Sequence, residues 1–447
     1  VALYTDHYEL SMVASALRST IAERQAVFEV FARGLPAGRA YGVVAGIDRL
    51  LGLIDRFRFD QATVDHLCGA GVIEPGLMQD WLLDYRFSGD IVGYSEGELY
   101  FPYSPVLTVV GSFAECVVLE TLILSVLNHD CAVASAAARM ADAAAQKLLI
   151  EGGSRRTDPE AAVAAARAAF VGGFDATSNL EAGRRHGIPT GGTTAHAFML
   201  AHDSEQDAFA AQREAFGADS TYLVDTFDVA DGIRRAVAEV GPGIGAIRID
   251  SGELIDTSRA ARGLLDRLGA RGCRIVVSGD LDEFSVADLE AAGAPIDGYL
   301  VGTRLVTGSG HPTAAMVYKL VSIGVNERPD AQLRAVGKLS PGKRTLGGRK
   351  DVHRTIDSDG YFSGEVLSVL PVELSDSSMN PQVALLRDGE IVAEATDPAE
   401  AKARCAERRS RLRDSDRTPW PDRSPAVPTV WEGVEEPRSA MAGLAAL

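Results

Sequence analysis

Three carboxylates recur at comparable places along the chain: Asp225 in TYLVDT, Asp250 in AIRIDSG and Asp280 in VVSGDLD. Each follows a short apolar run. A lone carboxylate in such a place is often only the cap of the next helix. Three in succession are the donor type that binds sugar hydroxyls or Mg²⁺, directly or through water. Two glycine pairs share the pattern, Gly279-Asp280 and Gly302-Thr303. Glycine lets the backbone approach a ligand closely, and N–H groups opening the next helix favour phosphate. A plain tight turn is the alternative. Arg248 lies inside AIRID, where an unpaired guanidinium is expensive. It needs a fixed anion, either a barrel carboxylate or, matching its fork better, a ligand carboxylate or phosphate. His196 ends GGTTAHAF; a lone histidine is commonly structural, but one after a Gly- and Thr-rich segment can also serve catalysis. The other seven histidines show no ligand spacing, which leaves a histidine metal site unsupported.

These residues need a scaffold that brings them together. Apolar segments recur about every 25–33 residues, the rhythm of successive βα units: 188–193, 221–226, 246–250, 274–278 and 298–302. Helical stretches fill the gaps at 203–216, 229–240, 256–268 and 285–292. Short buried strands alternating with helices imply a parallel sheet or barrel. In a (β/α) barrel the C-terminal strand ends carry the active site, and each of these segments ends in small or polar groups. An open doubly wound sheet is the alternative. Residues 1–113 read as an α+β region, with a strand at 26–32, a helix at 41–54 and strand alternation over 90–105. Residues 114–330 hold the barrel behind a helical lead-in: long helices over 114–150 and another at 160–170. Residues 331–417 open with a basic, glycine-punctuated stretch, then strands at 364–374 and 383–392 and a helix at 399–413. Residues 418–447 form a tail. The expected class is α/β: an irregular barrel plus an α+β, sandwich-like domain.

The bulk numbers restrict function. The chain has 447 residues and a net charge of −18. Such a surface disfavours nucleic acid and anionic membrane, which need a basic stripe, but not an anionic small substrate in a cleft. The five cysteines contain no C-x-x-C pair, so structural zinc and a disulfide framework are not expected. No signal peptide pattern opens the chain, and the longest apolar stretch, 116–127, is interrupted and too short to span a bilayer. A cytoplasmic protein is expected.

Ten motifs follow in order: LYTDHYELSM (3–12), EGGSRRTDPEAA (151–162), GGFDATSNLEAG (172–183), GGTTAHAF (191–198), LVDTFD (223–228), IRIDSGEL (247–254), VVSGDLDE (276–283), YLVGTRL (299–305), VYKLV (317–321) and GKRTLGGRK (342–350). Together they make the chain resemble the nicotinate phosphoribosyltransferases. The resemblance implies the irregular barrel of type II phosphoribosyltransferases and a homodimer with shared sites. It implies a ligase-type reaction in NAD biosynthesis: nicotinate and phosphoribosyl pyrophosphate give nicotinate mononucleotide and pyrophosphate, with ATP hydrolysis coupled and Mg²⁺ required. His196 would be the histidine that ATP phosphorylates, and His196, Arg248 and Asp250 the catalytic set. Arg155, Arg248, Asp250, Ser251, Gly279, Asp280, Gly302 and Thr303 would surround the phosphoribosyl group, with Asp250 and Asp280 near Mg²⁺. Asp225 and Thr226 would support the ribose and pyrophosphate. Ser178 and Arg248 would meet the nicotinate carboxylate, and Tyr8 of the partner subunit would stack on the ring. Lys319 and the loop at 338–350 would bind phosphates.

Two departures stand out. The family often has a bulky residue where this chain has Gly152, which makes Phe174 a candidate for the ring's second face. TLGGRK lacks a proline common in that loop. Related nicotinamide-using enzymes carry aspartate where Ser178 stands; a neutral donor favours the acid over the amide. The alternatives are a quinolinate phosphoribosyltransferase, which would need extra basic groups and no phosphorylated histidine, and a non-catalytic nucleotide-binding barrel. A phosphate-binding aldolase or isomerase would want a lysine or glutamate base at a strand end; none of these strand ends offers a lysine.

Overall fold

Residues Leu148–Glu151, Ala176–Thr177, Thr221–Leu223, Ala246–Ile249, Arg274–Val277 and Gly298–Val301 form short, mostly buried strands. The computed structural model describes residues 1–338, 345–370 and 377–433. The remainder, including Lys343 and Arg344 of the basic stretch, 371–374 of an expected strand and 434–447 of the tail, lies outside the described residues. Packing divides the chain into two units. One comprises Val133–Pro312 with Arg417–Pro419; the other holds the described residues of Val1–Ala132, Thr313–Asp416 and Trp420–Leu447. Composition had placed the breaks after residues 113, 330 and 417.

In the Val133–Pro312 unit the six strands make one parallel sheet, curled into a half-barrel. In spatial order they begin at Ala176, Leu148, Gly298, Arg274, Ala246 and Thr221. Helices Glu205–Phe216, Val229–Val240, Leu254–Arg267 and Glu283–Ala291 stand between strands. Asp228 and Asp282 cap two of them, accepting the Asp231 N–H at 2.8 Å and the Ser285 N–H at 2.9 Å. Because side chains alternate along a strand, Ile150 and Gly152 share a face, as do Ala246 and Arg248, Val276 and Ser278, and Leu300 and Gly302.

Two sequence expectations fail here. Residues 188–193 are not a strand; they contribute one bridge, Thr190 to Thr177. Residues 114–150 are not helical throughout: the helix Glu120–Ala143 ends, and Leu148–Glu151 becomes a strand inside the parallel sheet. The break uses Ala145 and Gln146 at φ 48° and 69°. Neither is glycine, so the usual stop signal is missing.

The other unit carries a seven-stranded antiparallel sheet whose middle strands are Gln25–Ala32, Leu107–Ser112 and Asp90–Tyr94. A smaller sheet holds Asp351–Ile356 and Phe362–Ser368. Their apolar faces share a large core with helices such as Ile47–Asp55. Arg354 is fully buried, held by Glu98 at 2.6 Å and Glu365 at 2.7 Å. Phe113–Ala143 is long and apolar enough to cross a bilayer, contrary to the sequence expectation, but two thirds of its apolar window is buried within the protein, as in a core helix. None of the five cysteines forms a disulfide.

Candidate active site

The C-terminal ends of the parallel strands surround a pocket of about 260 Å³. Its lining includes Arg155, Arg156, Arg248, Asp250, Asp280 and Thr303, with Gly152, Gly279 and Gly302. The strand alternation places Arg248 and Asp250 on one side. Arg248 donates from Nη2 to Asp250 Oδ1 at 2.6 Å, from Nε to Ser278 Oγ at 2.9 Å and from Nη1 to Thr193 Oγ1 at 3.0 Å. Ser278 Oγ also donates to Asp250 Oδ1. Partial burial works against the Asp250 charge, but the hydrogen bonds from Ser278 and Arg248, with the Arg248 charge, outweigh it. The carboxyl is held below its ordinary value and stays ionised near neutral pH.

Asp225 ties the next strand end to this pair. Its Oδ2 accepts the Asp250 N–H at 2.7 Å and the Ser251 hydroxyl at 3.4 Å, and its Oδ1 faces His196 Nε2 at 3.3 Å. Neither Asp225 nor Asp250 is a helix cap, so the bland explanation for these carboxylates does not hold. A carboxylate can only accept, which puts the proton on Nε2 and leaves the lone pair on Nδ1. The imidazole is 39% exposed and the Asp225 side chain 2% exposed, so the ring is steered from a buried anchor yet reachable. The Thr226 hydroxyl is buried beside it with no hydrogen-bond partner.

The glycine turn at 279 is sterically required. Gly279 has φ 106°, and a Cβ there would lie 2.3 Å from the Asp250 carbonyl oxygen. Asp280 follows at φ 45°, in the left-handed region. Gly302 precedes a helix of four residues, Thr303–Val306.

The opposite side of the rim rests on Glu151, which ends its strand 1% exposed. It accepts the Thr177 hydroxyl at 2.5 Å and the Gly153 N–H. Thr177 Oγ1 accepts the Asn179 N–H at 2.9 Å, and Asn179 Nδ2 donates to Ser154 Oγ at 3.1 Å. Ser178 donates its N–H to the Glu151 carbonyl at 2.7 Å. The loops bearing Arg155 and Ser178 are thereby joined. Burial pushes the Glu151 carboxyl above its usual value, with these donors pulling the other way.

Phe174, Tyr8 and Lys319 are not in this pocket's lining. Phe174 is completely buried and absent from the pocket lining, so it presents no face to a ligand there. Tyr8 and Lys319 belong to the other unit. Tyr8, on the helix His7–Leu17, is 45% exposed; burial and the charge of Glu120 push its phenol well up. Lys319 Nζ is 3.8 Å from Glu120. Lys350, counted in the phosphate-binding loop, is instead a core residue: its ammonium lies 2.7 Å from Glu29 and donates to the Leu346 and Gly348 carbonyls. A buried paired lysine is not available to phosphate. Glu151 and Leu300 were not singled out from sequence. A carboxylate closing the apolar run LLI was the available sign of Glu151; nothing local marks Leu300.

Among the described residues no three His, Cys, Asp or Glu side chains cluster as a metal cage. Asp250 and Asp280 both line the pocket, and one or two carboxylates completed by water and phosphate oxygens suit Mg²⁺. The donor set therefore fits that ion.

Residues 3–128 match the family model described as the nicotinate phosphoribosyltransferase (NAPRTase) N-terminal domain. Nicotinate phosphoribosyltransferase pncB1 of Mycobacterium tuberculosis (strain ATCC 25618 / H37Rv) is 56% identical over 374 residues, 82% of this chain and 80% of that protein. Nicotinate phosphoribosyltransferase of Bacillus subtilis (strain 168) is 35% identical over 84% of this chain and 78% of its own. The crystal structure of human nicotinic acid phosphoribosyltransferase shares the fold, with a TM-score of 0.79, 24% identity and 99% of each chain covered. So does a nicotinate-nucleotide pyrophosphorylase from Pyrococcus furiosus, with a TM-score of 0.74 and 23% identity over 91% of this chain and 94% of that one. The chain belongs to the nicotinate phosphoribosyltransferase family.

Proposed function

We propose that this protein transfers the phosphoribosyl group of phosphoribosyl pyrophosphate to nicotinate, releasing nicotinate mononucleotide and pyrophosphate, and that ATP drives the cycle through His196. The observation that carries the reading is the rim pocket itself: three arginines and two carboxylates around two glycine turns, on strand ends of a family member.

The pyridine nitrogen forms the bond to C1 as the C1–oxygen bond to pyrophosphate breaks, and the bonding pair leaves with pyrophosphate. The nitrogen is nucleophilic without a base, so positioning and electrostatics supply most of the rate. Positive charge builds on the sugar, and Asp250, ionised and fixed by Arg248, is the carboxylate that faces it. Gly279 and Gly302 give phosphate oxygens access to backbone N–H groups, and Arg155 and Arg156 supply positive charge. Asp250 and Asp280 are the residues that would hold Mg²⁺, which when bound neutralises the leaving group's charge. Ser178 favours a carboxylate over an amide, since a hydroxyl can donate to the acid.

Asp225 orients His196 so that Nδ1 attacks the γ-phosphorus of ATP; ADP leaves with the electron pair, and hydrolysis of the phosphohistidine ends the cycle. In this reading the enzyme is a homodimer in which Tyr8 of the partner subunit stacks on the base. The test is pyrophosphate release by the purified protein with phosphoribosyl pyrophosphate and Mg²⁺. Release that requires nicotinate supports transfer; release without a base, or none, contradicts it. The quinolinate alternative predicts release with quinolinate instead, together with carbon dioxide.

A further inference from the structure

The rim pocket has one non-glycine apolar residue in its lining, Leu300. The rest is Arg, Asp, Ser, Thr and Gly, which bring charge, hydroxyls and backbone to a ring but no aliphatic side chain. Leu300 pairs with Ile150 across the sheet, two residues before Gly302. Its side chain lies over Gly152: a Cβ at 152 would stand 2.5 Å from Leu300 Cδ2. The two positions therefore compete for one volume, and here Leu300 occupies it.

A second cavity, about 1010 Å³, lies in the same unit. Leu148, Ile150, Val276 and Leu300 give it an apolar wall. Leu300 is the one residue common to both linings. By strand alternation Ile150 and Val276 sit one inward position behind Gly152 and Ser278, so the cavity continues the pocket behind this side chain. A single leucine is thus both wall and partition.

We propose that Leu300 is the apolar wall against which the base lies, and that as the partition between pocket and cavity it limits the enzyme to single-ring acids. The inference rests on the function proposed above. Removing the side chain would open room for a fused second ring, within the range of volumes that hold small ligands.

The experiment compares wild type, Leu300→Ala, Leu300→Met, Gly152→Ala and the Gly152→Ala/Leu300→Ala double variant, with nicotinate and with quinoline-3-carboxylate. Leu300→Ala should raise the nicotinate KM by about ten-fold or more while the KM for phosphoribosyl pyrophosphate changes little. It should also convert quinoline-3-carboxylate, which wild type refuses. Leu300→Met, of similar volume, should keep the wild-type pattern. Gly152→Ala should raise the nicotinate KM alone but add nothing in the Leu300→Ala background, because the competing side chain has gone. If Leu300→Ala is poorly folded, the Gly152→Ala result decides: an unchanged nicotinate KM overturns the assignment. Wild type that turns over nicotinate with no response at Leu300 or Gly152 overturns this assignment alone. Wild type that uses neither acid overturns the function and this assignment together.

Discussion

Arg248, in the strand Ala246–Ile249, and Asp250, just past its end, are joined at 2.6 Å, with Ser278 at the end of the neighbouring strand hydrogen-bonded to both. An arginine in a buried strand that looked in need of a ligand anion is already satisfied by a carboxylate of its own chain. That carboxylate is in turn fixed and ionised, ready for the charge that develops on the sugar. The pair therefore acts as one unit.

Replacing either member should cost more than its contacts alone. Arg248→Lys keeps the charge but loses the fork that reaches Ser278, Thr193 and Asp250 together. Asp250→Asn removes the charge. Each should lower kcat/KM by about 10²–10³-fold, and the double variant should lose far less than the product of the two. Simple multiplication in a steady-state comparison would contradict the unit.

The pH dependence follows from the same pair. Because the folded Asp250 value is depressed, its stabilising contribution is complete above the unfolded value of about 3.9 and is lost as pH falls through the lower folded value. Asp250 therefore adds no acid limb to kcat/KM between pH 5 and 7, and Asp250→Asn should be impaired to the same degree across that range. A pH–rate profile in which the loss fades towards pH 5 would contradict this.

Gly279→Ala adds a methyl 2.3 Å from the Asp250 carbonyl, at a φ that L-residues rarely adopt. Strain of about 1–3 kcal/mol is expected, seen as a lower Tm and a raised KM for phosphoribosyl pyrophosphate. Gly302→Ala is the milder control, its nearest neighbour being 3.4 Å away.

Glu151 supplies a stability prediction of opposite sign. Its folded value is raised by burial, so its contribution is complete below the unfolded value of about 4.3 and is lost as pH rises through the folded value. Glu151→Gln can still accept from Gly153 and donate to Thr177 without a buried charge. It should raise Tm by roughly 2–4 °C at pH 8 for each kcal/mol gained, with the advantage vanishing near pH 4. Glu151→Ala should lose the tie between the Arg155 and Ser178 loops and weaken nicotinate binding. Thermal melts of both variants at the two pH values check this.

The parallel sheet was legible wherever a βα unit had an apolar strand, a polar end and a periodic helix. The Val229–Val240 helix and the Gly298–Val301 strand lie where the pattern puts them. Leu148–Glu151 was hidden because an alanine-rich helix runs almost into it and the break is made by Ala145 and Gln146 without glycine or proline. The residues 188–193 read as a strand because IPTGGT is bounded like one, yet most of its backbone pairs with nothing parallel. At the site, Arg248, Asp250 and Gly279 announced themselves by unusual residue types in strand positions. Phe174 and Lys350 misled because their types suit a ligand while burial is a property of the whole fold. Leu300 was invisible for the converse reason: a leucine in a strand looks like any core residue until its neighbour is known to be a glycine.

Ser178→Asp should reverse base preference. An added carboxylate repels the nicotinate acid and can accept from an amide, so the nicotinate KM should rise by about ten-fold or more while nicotinamide gains. Competition assays with the two bases read the ratio directly, and an unchanged ratio would remove Ser178 from the specificity argument.

The central claim is tested most directly by quantifying nicotinate mononucleotide made from nicotinate, phosphoribosyl pyrophosphate and Mg²⁺, with and without ATP, by wild type and by His196→Ala. The account predicts product that rises with ATP in wild type, and a variant that still makes product but no longer responds to ATP. Equal stimulation in the variant, or no mononucleotide from wild type under any condition, would contradict it.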